Sequence, residues 1–355
     1  MKVLYHIPSL DSIYAHRTIY HGYRHAFLDL GHEFRPFTLD HRLEPVLQEY
    51  RPDVFITASH SFYRRQLDYQ MLRRFRDEGM SVLVKIDFWR SPLSALRINE
   101  AKSLKDEPRV VEMIASGELG DAFFHVVEQD DPRMAGFVEE TGRRFHSVPL
   151  AADRLALKPS FDPRFDADIS YVGTSLPEKR AFFKEHVFPL GRTHRLRIYG
   201  QDWSRLDRGV AWVQRAGQYF NIKPLARLRK PRLQLEDEAR IYASSKVSIN
   251  VHEEYQRRFG GDCNERTFKI PFCGGFEVVD DVSCLNRYFE RGKELAVAST
   301  PKEWVEMVEH YLQHPGERAA IIEAGQKRVA RDHTYHNRVA QLLEIAIIAP
   351  ASRRR

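Results

Sequence analysis

"NERTFKIPFCGGFEVVDD", Asn264 to Asp281, reads as a short helix, a glycine turn and a buried strand. The apolar residues of its first half recur at helical spacing, and the Gly274–Gly275 pair stops the helix. The "GFEVVD" that follows is an apolar run of strand length. A helix feeding a buried strand in this way is half of the βαβ repeat that builds parallel sheets. The same stretch carries Arg266 and Lys269 near the helix start, behind Asn264 as the N-cap. Cations there oppose the helix dipole at a cost of a few tenths of a kcal/mol each. A bound diphosphate reverses that penalty, so Asn264, Arg266, Thr267 and Lys269 are read as ligands for one.

Working outward, the repeat fills the chain. Candidate strands are 2–6, 33–38, 53–58, 81–87, 122–127 and 144–149 in the first half. In the second they are 168–174, 195–200, 246–252, 275–280 and 294–299. Amphipathic segments lie between them, among them 17–31, 61–79, 177–190, 236–245, 264–273, 301–313 and 316–331, with "YHNRVAQLLEIAII" as a last helix. The loop "LKPSFDPRFDAD", with Pro159 and Pro163, interrupts the rhythm and is the expected domain boundary. The predicted architecture is α/β: two Rossmann-like domains facing across a cleft, over 1–160 and 161–335, with a terminal helix and basic tail at 336–355. The basic stretch between Trp203 and Leu235 shows no assignable period.

The 355 residues, 43% of them hydrophobic and 29% charged, suit a soluble two-domain protein. No apolar run approaches the length of a membrane span, so an integral segment is not expected, and peripheral membrane contact stays open. Cys263, Cys273 and Cys284 form no CxxC pair and match no common zinc spacing; reduced, buried thiols and a cytoplasmic location are the default. The net charge of +6 and pI of 9.1 suit an anionic partner, most economically a phosphate-bearing small molecule. The basic segment 227–232 motivates nucleic-acid binding as one alternative; a non-catalytic protein that binds a glycan or nucleotide is another. The terminal "SRRR" reads as a solvated tail. The "DAD" at 166–168 precedes a strand instead of following one, so no essential divalent metal is expected.

In such sheets ligands bind beyond the C-terminal ends of the strands. There the second half offers Gly173, Thr174 and Ser175, whose backbone N–H groups and hydroxyls could cradle phosphate, followed by Lys179 and Arg180. The bland alternative is a helix cap with a solvated Lys-Arg pair. The next strand end gives Tyr199, Gly200 and Trp203, the last for stacking or for the core. The third gives Asn250, His252, Glu253 and Glu254. The first half offers His6 with Ser9, Asp11 and Ser12, then His16 and Arg17, then Ser59, His60 and Ser61. It continues with Asp87, Trp89 and Arg90, and with Glu128, Asp130 and Asp131. Among these, His6, His60 and Asp87 are the candidate catalytic bases.

Taken in order, "YVGTSLPEKRAFF", "RIYGQDW", "IYASSKVSINVH", "NERTFKIPFCGGFEVVDD", "ELAVASTPKEWVEMVEHYLQHPGERAAIIEAGQKRV" and "HTYHNRV" resemble the CgeB-like (spore-maturation type) glycosyltransferases. The resemblance covers the whole second half; in the first, only "LEPVLQEYRPDVFIT" is similar to the family. It implies a GT-B fold, a nucleotide-sugar donor on the C-terminal domain and an acceptor on the N-terminal one: a glycan, glycoconjugate or protein, not a nucleic acid. It implies transfer without metal or cofactor, the nucleotide sugar being a co-substrate, in surface polysaccharide or glycoconjugate assembly, with a lean to retention. Tyr199 or Trp203 would contact base or sugar. One departure stands out. Relatives usually read "RTFE", the Glu being similar to the ribose-binding second acid of an E-x7-E pair. Here Lys269 takes its place and Gly261 the other. Either Glu253, Glu254 or Glu265 holds the ribose, or Lys269 meets phosphate.

Overall fold

All eleven apolar runs pair as parallel strands. The computed structural model describes residues 1–10, 15–91, 103–220, 222–226, 228–229 and 233–352, and the chain divides into two units.

The first unit comprises Met1–Leu10, Tyr23–Pro149 and Tyr335–Arg355. Its strands are β1 (Lys2–His6), β2 (Glu33–Phe37), β3 (Val54–Ala58), β4 (Ser81–Lys85), β5 (Ala122–His125) and β6 (Phe145–Ser147), in the spatial order β2-β1-β3-β4-β5-β6. The central strands are short β-branched and aromatic runs buried on both faces, as sheets covered by helices require. Phe55, Val82, Val84 and Phe123 share one core with Trp89 and Phe137. Emptying such an aromatic site costs about 3–5 kcal/mol.

The second unit comprises Asp11–Gly22 and Leu150–Thr334. Its strands are β7 (Ala167–Val172), β8 (Leu196–Tyr199), β9 (Ser245–Asn250), β10 (Glu277–Asp280) and β11 (Ala296–Ala298), in the order β11-β10-β9-β7-β8. Alternate residues build two cores. Ile169, Tyr171, Val247, Ile249 and Val278 pack on one side with Trp304 and Val308, and Val172 and Val279 on the other with Tyr242, Phe268 and Ile270. The chain runs from β7 out to β8 and then back past β7 to β9. The strand order therefore reverses between β7 and β9, which opens a crevice beyond their C-terminal ends.

Three expectations change. The junction falls at Pro149/Leu150, not near 160, and the last helix, Tyr335–Ser352, belongs to the first unit. There Ser81 Oγ donates to Ala346 O at 2.8 Å, and Arg338 Nε to Pro149 O at 2.9 Å. The 61–79 segment is two helices, Ser61–Arg64 and Tyr69–Asp77, because Asp68 caps the second by accepting from Met71 N at 3.0 Å. The 177–190 segment is α-helical only over Pro177–Phe182. It then widens and tightens through Phe183–Arg192, where Pro189 has no N–H to continue the ladder. The unassigned basic stretch contains a helix, Arg205–Tyr219. Asp11, Ser12, much of 227–232 and Arg353–Arg355 lie outside the described residues.

Candidate functional site

Arg266 occupies the reversal point of the second sheet. Its Nη1 donates to Val172 O at the end of β7 (3.3 Å) and its Nη2 to Val251 O just past β9 (3.3 Å). Nε donates to Asn250 Oδ1 (3.0 Å), and the guanidinium lies 5.2 Å from the Tyr171 ring centre. Every one of these acceptors is neutral. Gly173 and Gly200 make the close packing feasible. A Cβ on Gly173 would come within 2.9 Å of Arg266 Nη1, and one on Gly200 within 2.3 Å of Gly173 O, at a φ of +125° that only glycine adopts easily.

Lys179 reaches the same place from the helix after β7. It is buried, and its Nζ donates to Val251 O at 2.8 Å, the oxygen that Arg266 also uses. Burial first, and the Arg266 charge second, push its ammonium down from 10.5 to about 7. Among the described residues neither cation bonds a carboxylate. Two unit charges a few Å apart repel by roughly 3–4 kcal/mol at an effective dielectric of 20. Glu253 and Asp280 offset part of this, and the pair stays a positive centre that an anion would relieve.

A polar network fixes it from below. Asn250, fully buried, donates to Thr267 Oγ1 (3.1 Å) and Glu277 Oε1 (2.7 Å), and its Oδ1 accepts from Asn264 Nδ2 (2.8 Å) as well as from Arg266. All four of its hydrogen-bonding positions are used. Burial raises the Glu277 carboxyl to about 8, against the lowering pull of Asn250 and Arg266. Near pH 7 Glu277 is therefore mainly the neutral acid and cancels little of the adjacent charge. His252 is buried with Nδ1 2.7 Å from Asp280 Oδ1 and Nε2 3.4 Å from Thr267 Oγ1. Burial pushes the Asp280 carboxyl up, but the His252 ring and backbone N–H outweigh it and leave it below the usual range.

The structure thus brings together Gly173, Gly200, Asn250, His252, Asn264, Arg266 and Thr267 of the expected ligands, and separates others. Lys269 is neutralised: its Nζ lies 3.1 Å from Glu238 and 3.5 Å from Glu265, which also accepts from Thr18 Oγ1 at 2.7 Å. That removes it from the anion-binding set. The two-turn helix Arg266–Phe272 has little dipole to offer, so side chains carry the positive charge. The backbone cradle at 173–175 is also a correction. Gly173 N donates to Tyr199 O and Ser175 N to Gln201 O, both at 2.9 Å, so neither N–H is available. Thr174 is partly exposed beside them. Arg180 turns back onto Ser175 O and Oγ (3.1 and 3.3 Å). Trp203 donates Nε1 to Gly173 O at 2.8 Å and packs on Tyr171 and Phe183, and Tyr199 packs on Phe165. Both aromatics are wall, not stacking platform. Glu253 heads the helix Glu254–Phe259, its N–H donating to Gln256 Oε1 at 3.2 Å. Glu277 and Asp280 were not among the expected ligands, and Lys179 was named only as following the 173–175 loop. A charged residue inside an apolar helix face or a buried strand was the available signal for each.

In the first unit, His6 is a core residue. Its ring lies 2.9 Å from Thr57 Oγ1 and 2.8 Å from Gln66 Oε1, and burial lowers its pKa to about 4. Both nitrogens are engaged, so it is not placed as a base. Asp87 and His60 lie just beyond β4 and β3. Ser59 Oγ donates to Asp87 Oδ2 (3.1 Å) and accepts from Asp87 N (2.8 Å), while His60 Nδ1 accepts from Phe62 N (3.2 Å). Burial holds the Asp87 carboxyl above its ordinary range, with His60 pulling the other way. Asp131 is paired with Arg133 at 2.7 Å in the core, where Trp89 also lies.

Residues 180–344 match the profile of a family described as Glycosyl transferase-like. The match covers 165 of the 355 residues and lies mostly in the second unit. No curated protein matches the chain. Among solved structures, the sucrose-phosphate synthase of Thermosynechococcus elongatus is similar over 99% of both chains, with a TM-score of 0.62 at 10% identity. An alpha-glucosyltransferase in complex with UDP aligns over 98% of this chain and 99% of its own, at 0.62 and 12%. HepE of Anabaena, solved with UDP and glucose, aligns over 97% and 99%, at 0.58 and 9%. These likenesses show the fold: two Rossmann-like units of the GT-B class. The family profile supports glycosyltransferase activity. In the second sheet Lys179 and Arg266 lie at the crevice between β7 and β9, where open α/β sheets bind ligands.

Proposed function

We propose that the protein transfers a glycosyl group from a nucleoside-diphosphate sugar, with the diphosphate seated on Lys179 and Arg266. The observation that carries this is the shared Val251 carbonyl: buried Lys179 and half-buried Arg266 on one neutral oxygen, with no carboxylate among the described residues bonded to either. As the bond from the anomeric carbon to the diphosphate breaks, negative charge grows on the leaving oxygens. Two pre-placed cations in a desolvated site stabilise that charge more than the ground state, which is the form catalysis requires. This is the work a divalent ion does elsewhere, so we propose metal-independent transfer. UDP is the proposed nucleotide, because the alpha-glucosyltransferase and HepE structures contain it.

On the acceptor side the first unit offers Asp87, whose raised carboxyl is suited to taking a proton, with His60 adjacent. A glycan, glycoconjugate or protein hydroxyl is the proposed acceptor, in cytoplasmic assembly of surface polysaccharide. Membership of the spore-maturation subtype and the lean to retention rest on the motif resemblance. The test is calorimetric titration with UDP and UDP-glucose, with EDTA or magnesium. Micromolar binding unaffected by EDTA, lost in Lys179→Met and weakened at least tenfold in Arg266→Lys, is expected. Equal affinity in all three proteins would overturn the site.

A further inference from the structure

The helix Arg205–Tyr219 is inside out. Its stripe facing the protein is Asp207, Ala211 and Gln214, with Asp207 7% and Gln214 6% exposed. Those polar groups sit in a closed network. Arg229 donates to Asp202 Oδ1 (2.7 Å) and to Gln214 Oε1 (3.2 Å), and Asp202 N donates to Asp207. The apolar residues point outward instead. Leu206 is 80% exposed, Trp212 71% and Phe220 67%, with Val213, Ile222 and Leu228 also exposed. Leu206, Val213 and Phe220 are spaced seven residues apart and therefore share one helical face. The helix's one acid, Asp207, faces inward, and Arg208 turns back onto Asp202 O and Trp203 O. Arg205 and Arg215 are exposed on the helix itself, Arg215 lying over the Trp212 ring at 5.7 Å.

We propose that this face docks on an anionic lipid bilayer. A helix with an apolar outer stripe of Leu, Trp and Phe, flanked by arginines, lies in the headgroup layer with its stripe among the acyl chains. Tryptophan favours that depth, and the basic flanks are drawn to acidic headgroups. Other occupants fit less well. Leu206 and Val213 cannot stack on bases, so a nucleic acid would leave them in water. A second copy would set Arg205 and Arg215 against their like. No helix among the described residues is long and apolar enough to cross a membrane, so the contact is peripheral. The inference does not depend on the donor reading.

The test is co-sedimentation with vesicles of phosphatidylglycerol and phosphatidylcholine, against vesicles of phosphatidylcholine alone. Binding to the first is expected, at least tenfold weaker to the second and reduced by 0.5 M salt. The double variant Leu206→Glu, Trp212→Glu should lose it at least tenfold while keeping the melting temperature and UDP binding, since both side chains project into solvent. Trp89 and Trp304 are fully buried and Trp203 is packed on Tyr171 and Phe183, so a blue shift of fluorescence on adding anionic vesicles should vanish in Trp212→Phe. No sedimentation, sedimentation unaltered by the double variant, tighter binding to a single-stranded oligonucleotide, or a dimer that closes the face would each overturn the proposal.

Discussion

Replacing Lys179 by methionine should make the protein more stable and unable to hold its donor. Holding the buried ammonium near 7 instead of 10.5, at about 1.36 kcal/mol for each pH unit, costs the folded state roughly 4 kcal/mol at neutral pH. Methionine has similar length and no charge. It loses the bond to Val251 O, worth about 1 kcal/mol net, so the balance is a gain of roughly 2–3 kcal/mol. For a unit of this size that is about 5–10 °C in melting temperature. The pH dependence gives a second reading of the same quantity. The unfolded lysine keeps its proton up to 10.5 and the folded one releases it near 7, so the unfolded chain binds more protons between those values. Wild-type stability therefore rises with pH across that window relative to the variant. The variant's advantage should be largest below pH 7 and fade toward pH 10. Thermal and urea melts of both proteins from pH 6 to 9, with UDP titrations at each pH, measure all of this. A variant less stable at every pH, an advantage that does not change with pH, or UDP affinity equal to wild type would refute the reasoning.

Other outcomes follow from the same structure. Glu277→Gln keeps an acceptor for Asn250 and removes a group whose folded pKa is raised to about 8. Wild-type stability conferred by the protonated acid is lost as pH rises from 4.5 through 8, so the variant's advantage in urea melts should grow over that range. Lys269→Met strands Glu238 and Glu265 without their shared cation and should cost about 3–5 kcal/mol; in calorimetry its UDP affinity should match wild type at temperatures where it is folded. Gly200→Ala forces a Cβ to within 2.3 Å of Gly173 O and should cost more than about 2 kcal/mol, read as a lower melting temperature together with weaker UDP binding. Asp87→Asn should leave the melting temperature within a few degrees and donor binding unchanged, and reduce transfer in a product assay at least a hundredfold.

The sheets were legible because buried parallel strands are short apolar runs between glycine stops, and nothing in the tertiary structure competes with that signal. The domain junction was less so. Pro159 and Pro163 punctuate the chain, but the second unit's packing begins earlier, where Ala152 bridges to Thr334. For the site, the strand ends were the right place to look and the lysines were exchanged. Lys179 and Arg180 are neighbours on a helix and point about 100° apart, so one faces the protein and the other water. Composition does not say which. Lys269 had a visible clue in Glu265, four residues before it, whereas Glu238 is distant in sequence and met it only through folding. The helix Arg205–Tyr219 went unassigned because its apolar stripe faces away from the core that periodicity arguments assume.

The bond from Ser81 to Ala346 spans 265 residues, and it sets the order in which the protein can be completed on the ribosome. At about 5–20 residues per second, roughly 10–50 s separate the synthesis of β4 from that of the helix that covers it. During this interval the second unit's strands all emerge, while the first sheet waits with one apolar flank open. Translation speed and chaperone supply should therefore govern the yield of the first unit, and a chain stopped at Thr334 should leave that sheet prone to aggregate even with the site residues Lys179 and Arg266 all present.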